Sequence, residues 1–487
     1  MNHQNIKTLG ALKASGYQSL SIKDELRNNL IKKLKQQETV FTGVWGYEDS
    51  VIPELETAIL SKHNINLLGL RGQAKTRLAR LMVTLLDEYI PIIKGSEIND
   101  DPLHPLSRYA KELIAEHKDE TPISWVHREE RFFEKLATPD VTVADLIGDV
   151  DPIKAMNLKL NYADDRVIHF GMIPRANRCI FVINEIPDLQ ARIQVSLFNI
   201  LQEGDIQIRG FKLRLPLDIQ FVFTANPEDY TNRGSIVTPL KDRIGSQILT
   251  HYPKTIEIAK KITAQEVTYL AEQKTKIYVP DMARDIIEQL VFEARKSEYV
   301  DLKSGVSARM SIAIFENLLS TAERRSILNE ETETSVRVLD FLGTIPAITG
   351  KMELVYEGEQ EGADIVAHLL LNSAIKTIFK TLFPEIKKLR KDDETSPYDA
   401  ISEWFTTKEA VELLDDMDDL YFKEQLNSIV PLTSLIKKYQ LNTTEKDIPF
   451  LQEFILWALS EHKILSKERF NTGYQFNDPF SNYINGV

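Results

Sequence analysis

Eight residues between a short apolar segment and an amphipathic stretch constrain this chain more than anything else in it. Asn64 to Leu68 is apolar, bounded by Gly69, and has the length of a buried strand rather than a helix. From Leu78 the residues Leu78, Met82, Leu85, Leu86, Tyr89 and Ile90 recur at the three- and four-residue offsets of a helix. Between them, Gly69-Leu70-Arg71-Gly72-Gln73-Ala74-Lys75-Thr76 nearly fits the phosphate-loop pattern G-x-x-x-x-G-K-[ST], with Ala74 in place of the second glycine. Such a loop aims backbone N–H groups and the positive end of the helix dipole at a polyphosphate. Lys75 then pairs with β- and γ-phosphate oxygens, and the Thr76 hydroxyl binds Mg²⁺. An ordinary strand-to-helix turn that happens to hold Gly and Lys is the competing reading, kept open by Ala74.

Nucleotide hydrolysis also needs an acid at the end of a neighbouring buried strand. Cys179 to Ile183 is continuously apolar, as a strand buried on both faces of a parallel sheet should be, and ends in Asn184-Glu185. Glu185 suits the water-orienting base. Asn184 stands where an aspartate is expected; its amide oxygen can accept from a metal-bound water but brings no negative charge, so weaker Mg²⁺ binding is expected. A second such strand, Ile219 to Thr224, leads into Ala225-Asn226-Pro227, where Asn226 could hold the attacking water or the γ-phosphate, or simply mark a turn. Between the two, Ile193, Leu197, Ile200 and Leu201 mark a helical face, and Asp205 to Leu215 alternates as a hairpin does. A similar excursion is expected between Ile153 and Phe170. Arg243, at a helix-like position, and Arg309, opening a helix after Ser307, could each neutralise charge in phosphoryl transfer or serve as surface arginines.

The rest of the chain sets the frame. Its 487 residues suggest several domains, and the 59 basic against 72 acidic side chains give a net charge of −13, which argues against nucleic acid as a partner. A single cysteine, Cys179, excludes an intramolecular disulfide and any cysteine-rich zinc site. With no secretory leader pattern and no apolar run near the ~18 residues of a span, a cytoplasmic protein without a membrane partner is expected. The expected organisation is an N-terminal helical segment (1–40), a nucleotide-binding α/β core (41–252), a helical lid (253–349) and a mostly helical extension (350–487). Within the core, the polar, proline-divided residues 91–140 read as a loop or helical insertion without a core of its own. One strand-like piece is expected in 350–362.

With a loop, an Asn-Glu strand, an Asn-tipped strand and two arginines in this order, the chain resembles the AAA+ ATPases, and within them the branch of the MoxR proteins and the magnesium chelatase I subunit. The segment LFNILQEGDIQIRGFKLRLPLDIQFVFTANPEDY carries most of that likeness, because a hairpin before the sensor-1 strand is typical of the branch. MoxR-type loops often read GxAKT, which accommodates Ala74. The resemblance covers roughly residues 40–330. It implies an AAA+ core with a parallel sheet flanked by helices and then an all-α lid; Walker A at Gly69 to Thr76; Walker B at Ile180 to Glu185, with Glu185 as catalytic glutamate; sensor 1 at Asn226; an arginine finger at Arg243; and sensor 2 at Arg309. It implies ATP and Mg²⁺ as cofactors, with Thr76 and Asn184 on the metal. It further implies a homo-oligomeric ring, commonly a hexamer with chaperone-like action, and a partner carrying a von Willebrand factor A domain. Asn184 departs from the usual acidic residue, which bears on hydrolysis rate more than on nucleotide binding.

The leading expectation is therefore a ring-forming ATPase that remodels a protein or assists metal insertion; the alternative is a nucleotide-gated assembly module with negligible hydrolysis. A DNA translocase or transcription activator on a related core is disfavoured by the charge and by the lack of a GAFTGA-type loop or basic helix-turn-helix. Arg209, Lys212 and Arg214 on the expected hairpin read as a solvated face rather than a pore contact, and the acidic run Asp415 to Asp419 as a solvated helix end. The nine histidines show no metal-ligand spacing.

Overall fold

The computed structural model describes residues 5–159, 167–203, 205–206, 215–227, 236–386, 396–407, 410–440, 443–470 and 472–479. Contacts divide the chain into two units, Met1–His251 and Tyr252–Val487.

The first unit is built on five strands, β1 (Ile65–Leu68), β2 (Phe132–Leu136), β3 (Cys179–Asn184), β4 (Ile219–Ala225) and β5 (Ser246–Leu249). Every pairing among them is parallel, and the order across the sheet is β5-β1-β4-β3-β2. In register, Ile65 lies beside Val222 and Ser246, Ile219 beside Cys179, and Phe132 beside Ile180. The continuous apolar runs have the expected cause. Ile180 and Val182 pack with Ile65, Leu67, Val222 and Ile248 in one cluster, while Phe181, Ile183, Phe221 and Phe223 enter another, so both faces of the central strands are covered. Helix α1 (Lys75–Leu81) follows the loop after β1, α2 (Ala191–Glu203) follows β3, and α3 (Thr238–Arg243) precedes β5.

Two expectations for this unit need correction. The helical period after Leu78 does not extend through Tyr89 and Ile90: α1 gives way to a 3₁₀ turn at Met82–Leu85, and Tyr89–Ile93 is a strand antiparallel to Ile123–His127. A helical offset and a short strand cannot be told apart by spacing alone when Pro91 follows at once. Nor is 91–140 a coreless insertion. Leu12, Ile93, Ala110 and Ile123 form a small apolar cluster, and residues 132–136 supply the edge strand of the main sheet. Arg131, just before that strand, is buried and makes two 2.7 Å hydrogen bonds to the buried Glu25 of the helix Ile22–Lys35, tying the N-terminal segment to the core. The hairpin expected at 205–215 is paired at its base, Asp205–Ile206 with Leu215–Pro216; Arg209, Lys212 and Arg214 lie outside the described residues.

The second unit is mainly helical. Helices Asp281–Ala294, α4 (Ala308–Leu328), Ala363–Leu382 and Ile448–Glu461 share one continuous apolar core, so the described residues expected as lid and as extension are packed together. Ala363–Leu382 is long and apolar enough to cross a membrane by length and composition, and Val366, Leu370, Leu371, Ile375 and Phe379 bury its inner face in this core. Three expectations fail here. Tyr356–Glu361 is helical rather than strand-like, and within the extension expected as mostly helical an antiparallel sheet joins Val411–Leu414, Gly473–Asn477 and Ser466–Phe470. The acidic run is not simply solvated either. Asp418 caps the helix Asp419–Ser428, Asp416 pairs with Arg324 at 3.0 Å, and Asp419 accepts from the buried Arg337 at 2.7 Å.

Candidate functional site

Parallel strands end together, and the polar residues that follow them collect along one edge of the sheet. Gly69 leaves β1 with its N–H bonded to the Ala225 carbonyl at the end of β4 (3.1 Å), which sets the start of the loop directly beside Asn226. A Cβ on Gly69 would collide with the Thr250 hydroxyl and the Gln73 carboxamide, so only glycine fits there. Gly72 has φ +72°, and Ala74 itself stands in the left-handed region at φ 55°, ψ 18°. That backbone is why a glycine is favoured at position 74, and an alanine holds it at a cost of about 1–2 kcal/mol. The loop is tethered from behind. Thr250 donates to Gln73 Oε1 at 2.8 Å, and the Tyr47 hydroxyl sits 3.0 Å from the Gln73 carbonyl and 2.7 Å from that of His251.

Lys75 and Thr76 open α1. The Lys75 ammonium donates to the loop's own Gly69 carbonyl and, at 2.9 Å, to that of Leu70. Arg71 and Gly72 are exposed at the crest, while Gln73 is buried beneath it. The Thr76 hydroxyl points at the strand ends and donates to Asn184 Oδ1 at 3.4 Å. The same oxygen accepts from the Thr224 hydroxyl at 3.1 Å, and that hydroxyl accepts from the Glu185 N–H at 3.1 Å. Glu185, half-buried, turns the chain off β3 with φ 55°. On the other side, Asn184 Nδ2 donates to Glu134 Oε1 at 2.6 Å, and Glu134 Oε2 accepts from Arg80 at 2.6 Å.

The sheet thus brings Gly69 to Thr76, Asn184, Glu185 and Asn226 together. Arg243 ends α3 in the same unit, its guanidinium 5.0 Å from the Phe198 ring centroid of α2 and bonded to Asp242. Arg309 belongs to the second unit, exposed in the first turn of α4, where its N–H donates to the capping Ser307 hydroxyl at 3.2 Å. Sequence reasoning missed Glu134, Thr224, Tyr47 and Thr250. Glu134 lay within a stretch read as insertion, and the others come from strand interiors or distant loops whose approach to the site only the sheet order creates. The Thr76 hydroxyl and the Asn184 amide oxygen face each other as oxygen donors, the chemistry that suits Mg²⁺ and its waters, with the Glu134 carboxylate behind Asn184 on the side of its Nδ2. Cys179, at the other end of β3, is buried with its thiol pushed up to about 12 by burial, and belongs to the core. Among the described residues no group of three or more His, Cys, Asp or Glu side chains is placed to hold a metal by itself.

Residues 111–244 match the family model of the AAA domain, dynein-related subfamily. The matched span runs from the helix before β2 through Asn184, Glu185 and Asn226 to Arg243. Among solved structures, the chain is similar to a candidate ATPase from Cytophaga hutchinsonii at 17% identity, covering 74% of this chain and 97% of that one, with a TM-score of 0.29. It is also similar to a chain from the complex between subunits BchI and BchD of magnesium chelatase at 19% identity, covering 66% of this chain and 98% of that one, with a TM-score of 0.35. No curated protein matches the sequence.

Proposed function

We propose, from the premise that this chain carries an AAA domain on a parallel five-stranded sheet, that it is a ring-forming ATPase of the MoxR and magnesium chelatase I kind. It binds ATP with Mg²⁺ and uses hydrolysis to remodel a protein partner or to assist metal insertion. The observation that supports this most is the convergence of the Gly69–Thr76 loop with Asn184 and Glu185 at the strand ends, linked through Thr76 and Thr224. Loop N–H groups and the Lys75 ammonium would hold the phosphates. Thr76 and Asn184 would hold Mg²⁺, which when bound neutralises charge on the β- and γ-phosphate oxygens. Glu185 would orient and deprotonate the attacking water, and Asn226, beside Gly69, would hold that water or the γ-phosphate. Arg243 would act on the nucleotide of a neighbouring subunit and Arg309 on its own, with a von Willebrand factor A domain protein as a partner of the ring.

Two substitutions test this. Lys75→Ala should abolish measurable ATP hydrolysis, whereas Glu185→Gln should keep nucleotide affinity, stop turnover and trap an ATP-bound assembly seen by size-exclusion chromatography. Hydrolysis by Lys75→Ala at the parent rate overturns the proposal. The amide at position 184 favours a second reading, a nucleotide-gated assembly module with negligible turnover. A single-turnover measurement with protein in excess separates the two, because the module leaves ATP intact for hours.

A further inference from the structure

The residue at the metal-facing end of β3 is an amide, and an amide has two faces of opposite sense. Presented oxygen-first it accepts from a hydroxyl or a metal-bound water; presented nitrogen-first it can only donate, and it turns its N–H groups toward a cation. Something must choose. We propose that Glu134, on the neighbouring edge strand β2, makes that choice and supplies the negative charge that Asn184 lacks, so that Asn184 and Glu134 together do at the Mg²⁺ site what one carboxylate would do alone. The inference rests on the nucleotide reading above.

The geometry carries the argument. An ionised carboxylate only accepts, so Glu134 Oε1, 2.6 Å from the Asn184 side chain, requires the Nδ2 donor on its side. Oδ1 is thereby turned to the opposite side, where Thr224 and Thr76 both donate to it. The Thr224 hydroxyl is itself oriented, since it accepts from the Glu185 N–H and so keeps its proton for Oδ1. Arg80, one turn along α1 from Thr76, holds the other Glu134 oxygen at 2.6 Å. Loop helix, β2, β3 and β4 thus close one chain of hydrogen bonds in which each donor and acceptor has a single consistent sense. The strand register makes the pair possible, because β2 runs parallel beside β3 with Leu136 opposite Asn184 and Glu134 opposite Val182. Glu134 keeps about a quarter of its side chain exposed, at 27%, and is held there between Asn184 and Arg80. Glu134 is a positioning residue in this scheme, acting on the metal through Asn184.

The test is a charge exchange in the full-length protein. Binding of a fluorescent ATP analogue is titrated with Mg²⁺, starting from a chelator, in the unaltered protein, in Glu134→Gln, and in the double variant Glu134→Gln with Asn184→Asp. In Glu134→Gln the charge is gone and the new amide accepts either orientation of Asn184, so the Mg²⁺ concentration giving half the effect should rise about tenfold or more. The double variant places the carboxylate on β3 and the amide on β2 and should return to within about threefold of the parent. An unchanged Mg²⁺ dependence in Glu134→Gln overturns the inference, and so does a double variant as weak as the single one. A Glu134→Gln variant that does not fold beside a double variant that folds and responds like the parent supports it. Failure of the unaltered protein to bind the analogue at any Mg²⁺ concentration overturns the phosphate-loop reading itself, which none of the other outcomes does.

Discussion

Both units of this protein place charged side chains under cover, and they do so to opposite effect. At the strand ends of the first unit, Lys75, Thr76, Asn184, Glu185 and Glu134 are only part-buried, and their hydrogen bonds run along the rim of an exposed loop. In the second unit, Arg325 and Arg337 are each 2% exposed and their hydrogen-bonding groups turn inward. Arg325 donates to Asp340, to the Thr334 hydroxyl and to the Ser335 carbonyl, and Arg337 to Asp419 and the Met417 carbonyl while lying 4.0 Å from the Phe422 ring centroid. The first arrangement leaves charge within reach of an arriving polyphosphate. The second uses charge to fix how α4, the 3₁₀ turn Leu339–Thr344 and the acidic stretch pack. Perturbing a charge should therefore alter rate at the strand ends of the first unit and stability at this buried cluster of the second.

The sharpest way to break that contrast is Arg243→Ala. With its guanidinium a third exposed and stacked on Phe198, its loss should lower ATP turnover by about 10³-fold or more and stability by no more than about 1 kcal/mol. Steady-state hydrolysis beside thermal melting checks both, and a large drop in melting temperature with unchanged turnover would reverse the assignment. Next is Arg325→Leu, which leaves the buried Asp340 without its ion-pair partner, keeping only the Arg337 N–H. A loss of about 3–5 kcal/mol is expected in denaturant titration, with hydrolysis per folded molecule retained.

Glu453 sharpens the comparison through pH. It is fully buried, accepts from the N–H groups of Val338 (2.5 Å) and Leu339 (3.0 Å), and burial raises its carboxyl from an ordinary 4.5 to about 8. A carboxyl raised on folding binds its proton more tightly in the folded state, so this contribution to stability is complete below pH 4.5 and is lost as pH rises toward 8. Melting temperature should fall across that window in the parent and fall less in Glu453→Gln; parallel profiles would show that Glu453 does not titrate there. The smallest effect is expected at the loop, where Ala74→Gly relieves about 1–2 kcal/mol of left-handed strain but adds about 0.5–1 kcal/mol of backbone entropy cost, a net gain of about 1 kcal/mol or less read by thermal melting without nucleotide.

The positions of these groups differed in how readily the chain announced them. Strands β1, β3 and β4 were visible because strands buried on both faces must be apolar without interruption, and the loop was visible because a tight turn onto a helix leaves glycines and a lysine at fixed spacing. The edge strand β2 was hidden, since Phe132-Phe133-Glu134-Lys135-Leu136 has one covered side and two charges. The sheet near the C-terminus was hidden for a similar reason: Val411–Leu414 and Gly473–Asn477 alternate over few residues amid helix-favouring neighbours.

What the sequence by itself determined is the part of the protein that local rules govern: three buried strands, the loop, and the identity of the residues at the strand tips. Only the tertiary structure decided that Glu134 stands against Asn184, that Thr224 reaches between Asn184 and Glu185, and that Tyr47 and Thr250 hold the loop from behind. Those meetings depend on strand order and register across stretches of 26 to 204 residues. Spacing along a chain carries a signal over a few turns of helix or a few rungs of strand, and contacts between distant segments are set by which faces must be covered together.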